Sequence, residues 1–144
     1  MKAVFAPVAA LALIGAGAAM AAPVQYDFDP SHSQVVFEYS HLGFSNSTGI
    51  INGVTGKLLL DAENPANSSV EATVPLSGMH TVAPDLDAHF FSKEFIGDNK
   101  DAVASFKSTK VELDGDKEAK VTGDFTLNGV TKQIVLDVDL NQTG

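Results

Sequence analysis

Pro84-Asp85-Leu86-Asp87-Ala88-His89-Phe90-Phe91-Ser92-Lys93-Glu94-Phe95-Ile96-Gly97 is the one stretch beyond the N-terminal leader whose apolar spacing reads as helix. Leu86 and Phe90 lie four apart, as do Phe91 and Phe95, so winding gathers them into an apolar stripe. Pro84 suits a first helical turn, Asp85 and Asp87 suit its positive end, and Gly97 suits the stop. On both sides of this stretch the apolar residues recur with period two. A short helix with three Phe in a strand-rich chain can close one end of a sheet or barrel. It then turns its aromatic face to whatever fills the interior, either core side chains alone or a ligand.

Outward from the helix the strands follow. Val24-Gln25-Tyr26-Asp27-Phe28 alternates, and Asp29-Pro30-Ser31 turns. From Gln34 to His41 the residues Val35, Phe37, Tyr39 and His41 share one face of a half-buried strand. Leu42-Gly43-Phe44-Ser45-Asn46 is a loop or bulge. Ser47 to Asp61 reads as one long strand interrupted by Gly49, Gly53 and Gly56, a pattern that marks bulges or barrel corners. After the turn at Asp61–Ser68, Val70, Ala72, Val74 and Leu76 alternate, with Pro75 placing the run at an edge or bulge. Beyond the helix, Ala102–Lys107 is a short strand. Lys110–Leu113 and Glu118–Leu127 form a hairpin through Asp114-Gly115, and Asn128-Gly129 is a second tight turn before Thr131–Leu140. Seven or eight short strands and one helix predict an all-β fold, an antiparallel barrel in preference to a sandwich because of the glycine-punctuated strands.

Composition narrows the function. Met1-Lys2, the small apolar run Ala3–Ala18 and Ala19-Met20-Ala21 predict a cleaved secretory leader over residues 1–21 and a domain over 22–144. No later segment is long and apolar enough to span a bilayer. The formal charge is −9, and all nine basic side chains are Lys. An acidic chain without Arg argues against nucleic acid and lacks the planar fork that grips phosphates. The chain has no Cys, which removes thiol nucleophiles, thiolate metal sites and disulfides.

The chemistry-bearing groups form no recognised catalytic pattern. Asp85, Asp87 and His89 could be read as metal ligands, but the spacing matches no zinc motif and a capped helix start explains them. Ser31-His32-Ser33 sets hydroxyls beside an imidazole without a nucleophile elbow around either, so a turn held by Asp29 and Ser31 is the simpler reading. No metal, cofactor or catalytic residue is assigned. What remains is an apolar interior: Val35, Phe37, Tyr39, Leu58, Leu60, Val74, Leu76, Phe106, Phe125, Leu127, Leu136 and Val138, plus Phe90, Phe91 and Phe95 from the helix. Small in-facing residues such as Ala72 and Gly123 would leave room among them for an apolar ligand.

Four stretches, in order, resemble the YceI-like family of secreted bacterial proteins. They are Tyr26–Phe37, with its Asp-Pro-Ser-His turn; His41-Leu42-Gly43-Phe44-Ser45; the helix Asp85–Phe95; and Asn128-Gly129-Val130-Thr131-Lys132 with Ile134–Val138. The resemblance implies a periplasmic, lipocalin-like barrel that binds a lipid such as a polyisoprenoid. On that basis the candidate ligand contacts are Phe37, Tyr39, His41, Phe44, His89, Phe90, Phe91, Phe95, Phe106, Phe125 and Leu136, with His41 and His89 as polar groups near the mouth. Basic residues usual in the family are replaced here by Ser47-Thr48-Gly49 and Ala83-Pro84. The family pattern also runs on into closing strands, so the chain is expected to be either a fragment or a short barrel with an open edge. Other readings are an enzyme using His89 with Asp85 or Asp87, and an incomplete barrel that pairs its edge with a partner chain. A monomer or a homodimer fits equally.

Overall fold

The computed structural model describes residues 22–97, 99 and 101–142. The leader expected over residues 1–21 lies outside them. Nine strands and one α-helix are present among the described residues. In chain order the strands are β1 (Val24–Asp27), β2 (Gln34–His41), β3 (Ser45–Asn52), β4 (Thr55–Leu60), β5 (Ser69–Pro75) and β6 (Met79–Thr81). The helix α1 (Pro84–Phe90) follows, then β7 (Val103–Leu113), β8 (Glu118–Leu127) and β9 (Val130–Asp139). All pairings are antiparallel. They build a six-stranded sheet in the order β1-β4-β5-β7-β8-β9 and a three-stranded sheet in the order β2-β3-β6.

The all-β, antiparallel architecture is as the sequence predicts, but the two sheets do not join into a closed barrel. β1 and β9 end one sheet, and β2 and β6 end the other. The single strand expected over Ser47–Asp61 is in fact two strands. Gly53, at φ +78°, turns the chain out of β3 and into β4, which belongs to the other sheet. Two strands read separately are one: β7 runs through Ser108–Lys110 with a bulge there. β6 has only three residues and carries no alternation long enough to read.

The helix is shorter than the sequence predicts and stops at Phe90. Its end is fixed by turns. The amide of Ile96 donates to the Phe90 carbonyl at 3.1 Å and that of Gly97 to the Ser92 carbonyl at 2.9 Å, with Gly97 at φ +83°. The Phe95 ring is thereby carried on a turn instead of on the helix, yet it still meets Phe90.

The core lies between the sheets beneath α1. Ile51, Leu76, Met79, Ala102 and Ala104 are its buried centre, with Val35, Phe37, Val74, Phe90, Phe91, Ile96, Phe125 and Leu127 packed around it. The interior face expected on β9 is not covered. Leu136 is 38% exposed, and Val138 and Leu140 are more so, on and just beyond the edge strand β9.

Candidate functional site

Where the two sheets diverge under α1, a cavity of about 510 Å³ opens. β2 supplies Val35 and Phe37, β3 supplies Ile51, and the β5–β6 segment supplies Val74, Leu76 and Met79. Ala104 of β7 and Phe125 and Leu127 of β8 line the opposite wall, and Phe90, Phe95 and Ile96 form the roof. The volume falls in the ~300–1,000 Å³ range of small-molecule pockets. Among the described residues only two of the lining are polar, Glu94 and Asn128.

The roof is held in place from one side. Asp87 Oδ1 accepts hydrogen bonds from the Thr81 amide at 2.7 Å and the Thr81 hydroxyl at 2.6 Å, which ties α1 to the end of β6. That bond fixes the rotation of the helix, so Phe90 points down. Its ring meets Phe37 edge-on at 6.1 Å, Tyr39 at 6.0 Å and Phe95 at 5.5 Å. Edge-to-face contacts of this kind favour one arrangement of the rings. Phe37 in turn has room because Gly49 faces it across the β2–β3 pair, and a Cβ at Gly49 would overlap the Phe37 ring. On the far side, the Asn128 amide donates to the Ile96 carbonyl at 3.3 Å, which links the β8–β9 turn to the segment after the helix. Glu94 and Asn128, both exposed and both lining the cavity, stand at its rim.

Of the candidate contacts, Phe37, Phe90, Phe95 and Phe125 line the cavity. Tyr39 lies beside it, against Phe90 and Phe37. Phe91 packs on the core without reaching the cavity, and Phe106 is buried with its ring in the space left by Gly123. His89 is outside. Its ring rests on Phe95 at 4.8 Å, with Nε2 4.0 Å from Glu94. His41 is exposed at the end of β2, Phe44 is exposed in the turn that follows, and Leu136 sits on the open β9 face. Ile51, Met79, Ala104, Glu94, Ile96 and Asn128 were not singled out by the sequence. A signal did exist for Ile51, since in β3 it stands two residues from Gly49 and directly across from Val35.

The remaining titratable groups are arranged as structure. Asp29 accepts from the Ser31 amide at 2.8 Å and the Ser31 hydroxyl at 2.6 Å, and its other oxygen is 2.7 Å from His32 Nδ1. The Ser31 hydroxyl and then His32 hold the Asp29 carboxyl down to about 2. This is the expected turn, exposed and remote from the cavity lining. Asp61, buried in the β4–β5 connection, accepts from the amides of Glu63 and Asn64. Glu71 is lowered by its hydrogen bond and attraction to Lys107 across β5 and β7. Asp87, proposed by one reading as a partner for His89, is instead occupied by Thr81.

The YceI-like domain family matches residues 26–144. A UPF0312 protein of Ectopseudomonas mendocina is 42% identical over 87% of the chain, and one of Pseudomonas aeruginosa is 36% identical over 90%. The chain spans about two thirds of the length of these curated relatives, 65% and 67% respectively. Among solved structures, the Campylobacter jejuni YceI protein superposes with a TM-score of 0.62 at 26% identity, over 81% of this chain and 68% of that one. Burkholderia cenocepacia BcnA superposes with a TM-score of 0.69 at 18% identity, over 77% of this chain and 70% of that one, a likeness of fold. The chain belongs to the YceI-like domain family.

Proposed function

We propose that this YceI-like chain is a periplasmic binding protein for a long-chain apolar molecule, an isoprenoid or a similar lipid, seated in the cavity under α1. The observation that carries the reading is the cavity itself. It is walled by aliphatic and aromatic side chains, and among the described residues its only polar lining groups, Glu94 and Asn128, stand at the rim. Such a surface gains by excluding water from a ligand's hydrocarbon, at about 25 cal/mol per Å² removed, and offers a hydrogen-bonding place only for a polar end. Phe37, Phe90, Phe95 and Phe125 are the proposed contacts. The export-type residues 1–21 support the location.

Native mass spectrometry of the protein purified from a bacterial periplasm, followed by solvent extraction, tests the reading. The expected result is a discrete added mass that extracts as a long-chain isoprenoid or comparable lipid. A protein that is empty on purification and stays empty with added isoprenoid would sink it.

A further inference from the structure

We infer that the β2–β3 turn is a membrane-docking tip, inserting Leu42 and Phe44 into an uncharged lipid surface. Among the described residues, the three most exposed large apolar side chains are Phe44 at 88%, Leu42 at 81% and Val82 at 80%. All three lie at one end of the three-stranded sheet. β6 pairs with β3 as Met79 with Ile51 and Thr81 with Gly49, so Val82 continues toward the same turn. That end also carries α1.

The tip is rigid. His41 pairs with Ser45, the Phe44 amide donates to the His41 carbonyl at 2.9 Å, and Leu42 and Gly43 sit at φ +52° and +78°. With the backbone so fixed, the two side chains are held outward. From Phe37 in the cavity wall to Leu42, five strand residues span about 17 Å, so the turn projects well beyond the cavity.

The chemistry favours lipid over protein. From Tyr39 to Gly56 the chain has no Asp, Glu or Lys, although the whole carries a formal charge of −9. The turn itself thus has no carboxylate to repel lipid phosphates, although α1 at the same end carries Asp85, Asp87 and His89, and with His41 its only titratable group the attraction must be apolar. Two side chains on a narrow turn are far short of the roughly 1,200–2,000 Å² of a stable protein interface. A bilayer needs no shape complementarity and rewards even two. Val35, Phe37 and Tyr39 on one face of β2 run from the cavity toward the turn, an apolar path between a bilayer and the site. Only this last role rests on the lipid-binding reading.

The test is co-flotation of the protein with vesicles of phosphatidylethanolamine and phosphatidylcholine, compared with a Leu42→Asn/Phe44→Ser variant. Asn tolerates the positive φ at position 42, and neither side chain lines the cavity, so the fold should persist by circular dichroism. The partition coefficient is expected to fall about tenfold or more in the variant, given the size of the two apolar groups removed. The chain has no Trp. The indole of a Phe44→Trp variant therefore reports alone, and is expected to shift to the blue and be quenched by brominated acyl chains. Wild-type protein that does not float, a double variant that floats equally well, or an unquenched indole would overturn the proposal. Wild-type protein that stays off vesicles but still carries an extractable lipid overturns docking alone. Protein that floats through the tip but never holds a lipid supports docking and overturns the carrier reading.

Discussion

Replacing Ala104 with Leu separates an open cavity from a filled core by the sign of its effect. Ala104 is 4% exposed and lines the cavity opposite Phe37 and Ile51, with Val74 its partner across β5 and β7. Leu adds three carbons. If they enter the 510 Å³ space, each is worth about 0.8 kcal/mol by removal from water, or about 2.4 kcal/mol together. Fixing the longer side chain costs about 0.5–1 kcal/mol in rotamer entropy. The net expectation is stabilisation by about 1.5 kcal/mol. In a core packed to native density the same change forces side chains off their rotamers and costs about 1–3 kcal/mol. Urea unfolding measures the difference. With a slope of about 1–3 kcal/mol per M, the midpoint should rise by roughly 0.5–1.5 M with the slope unchanged, while bound lipid is displaced. A midpoint that falls at unchanged slope would refute the cavity, and with it the observation on which the proposed function stands.

Phe90→Ala removes the ring that meets Phe37, Tyr39 and Phe95, and unfolding in urea should show a loss of about 2–3 kcal/mol, below the range for fully buried Phe because Phe90 is half-buried. Asp87→Ala strands the Thr81 amide, while the Thr81 hydroxyl can still donate to the Ala83 carbonyl, and should cost about 1–3 kcal/mol with faster hydrogen exchange at the Thr81 amide and along α1. Asp29, held at about 2 against an ordinary 3.8, favours the folded state while ionised. That contribution is complete above about pH 4 and disappears as pH falls toward 2, so a carbon-detected titration of Asp29 should show its midpoint near 2 and Ser31→Ala should raise it.

The strands were legible wherever one face is buried and the other wet. β2 and β8 keep the limits read from alternation alone, since a buried face specifies period two most strongly. Alternation carries less where geometry decides. Ile51 and Leu58 fall within one apparent strand, and only the positive φ at Gly53 sends them to different sheets. Gly53 was visible as a glycine, but its role as a corner depends on which strands pair, a long-range property. Leu136 has the same local pattern as Phe125, its neighbour strand's cavity residue. Phe125 is roofed by the α1 segment, whereas β9 lies at the sheet edge.

The cavity was the least legible part, because it is made by what is small or missing as much as by what is present. Aromatic residues drew attention in the sequence, and four of them do line the space. Its room comes from Ala104 on one wall and from Gly49, which lets the Phe37 ring lie flat against β3. Neither residue carries a chemical signal of its own. The rim was hidden for a different reason. Glu94 and Asn128 stand 34 residues apart and share one cavity lining, and the segment after Phe90 reaches the β8–β9 turn through the Ile96 carbonyl, which accepts the Asn128 amide. A helix continued to Phe95, as the spacing alone suggests, would carry Ile96 along its axis at about 1.5 Å per residue, whereas here the Ile96 amide folds back onto the Phe90 carbonyl. The turn that follows Phe90 therefore places the Ile96 carbonyl within reach of the Asn128 amide.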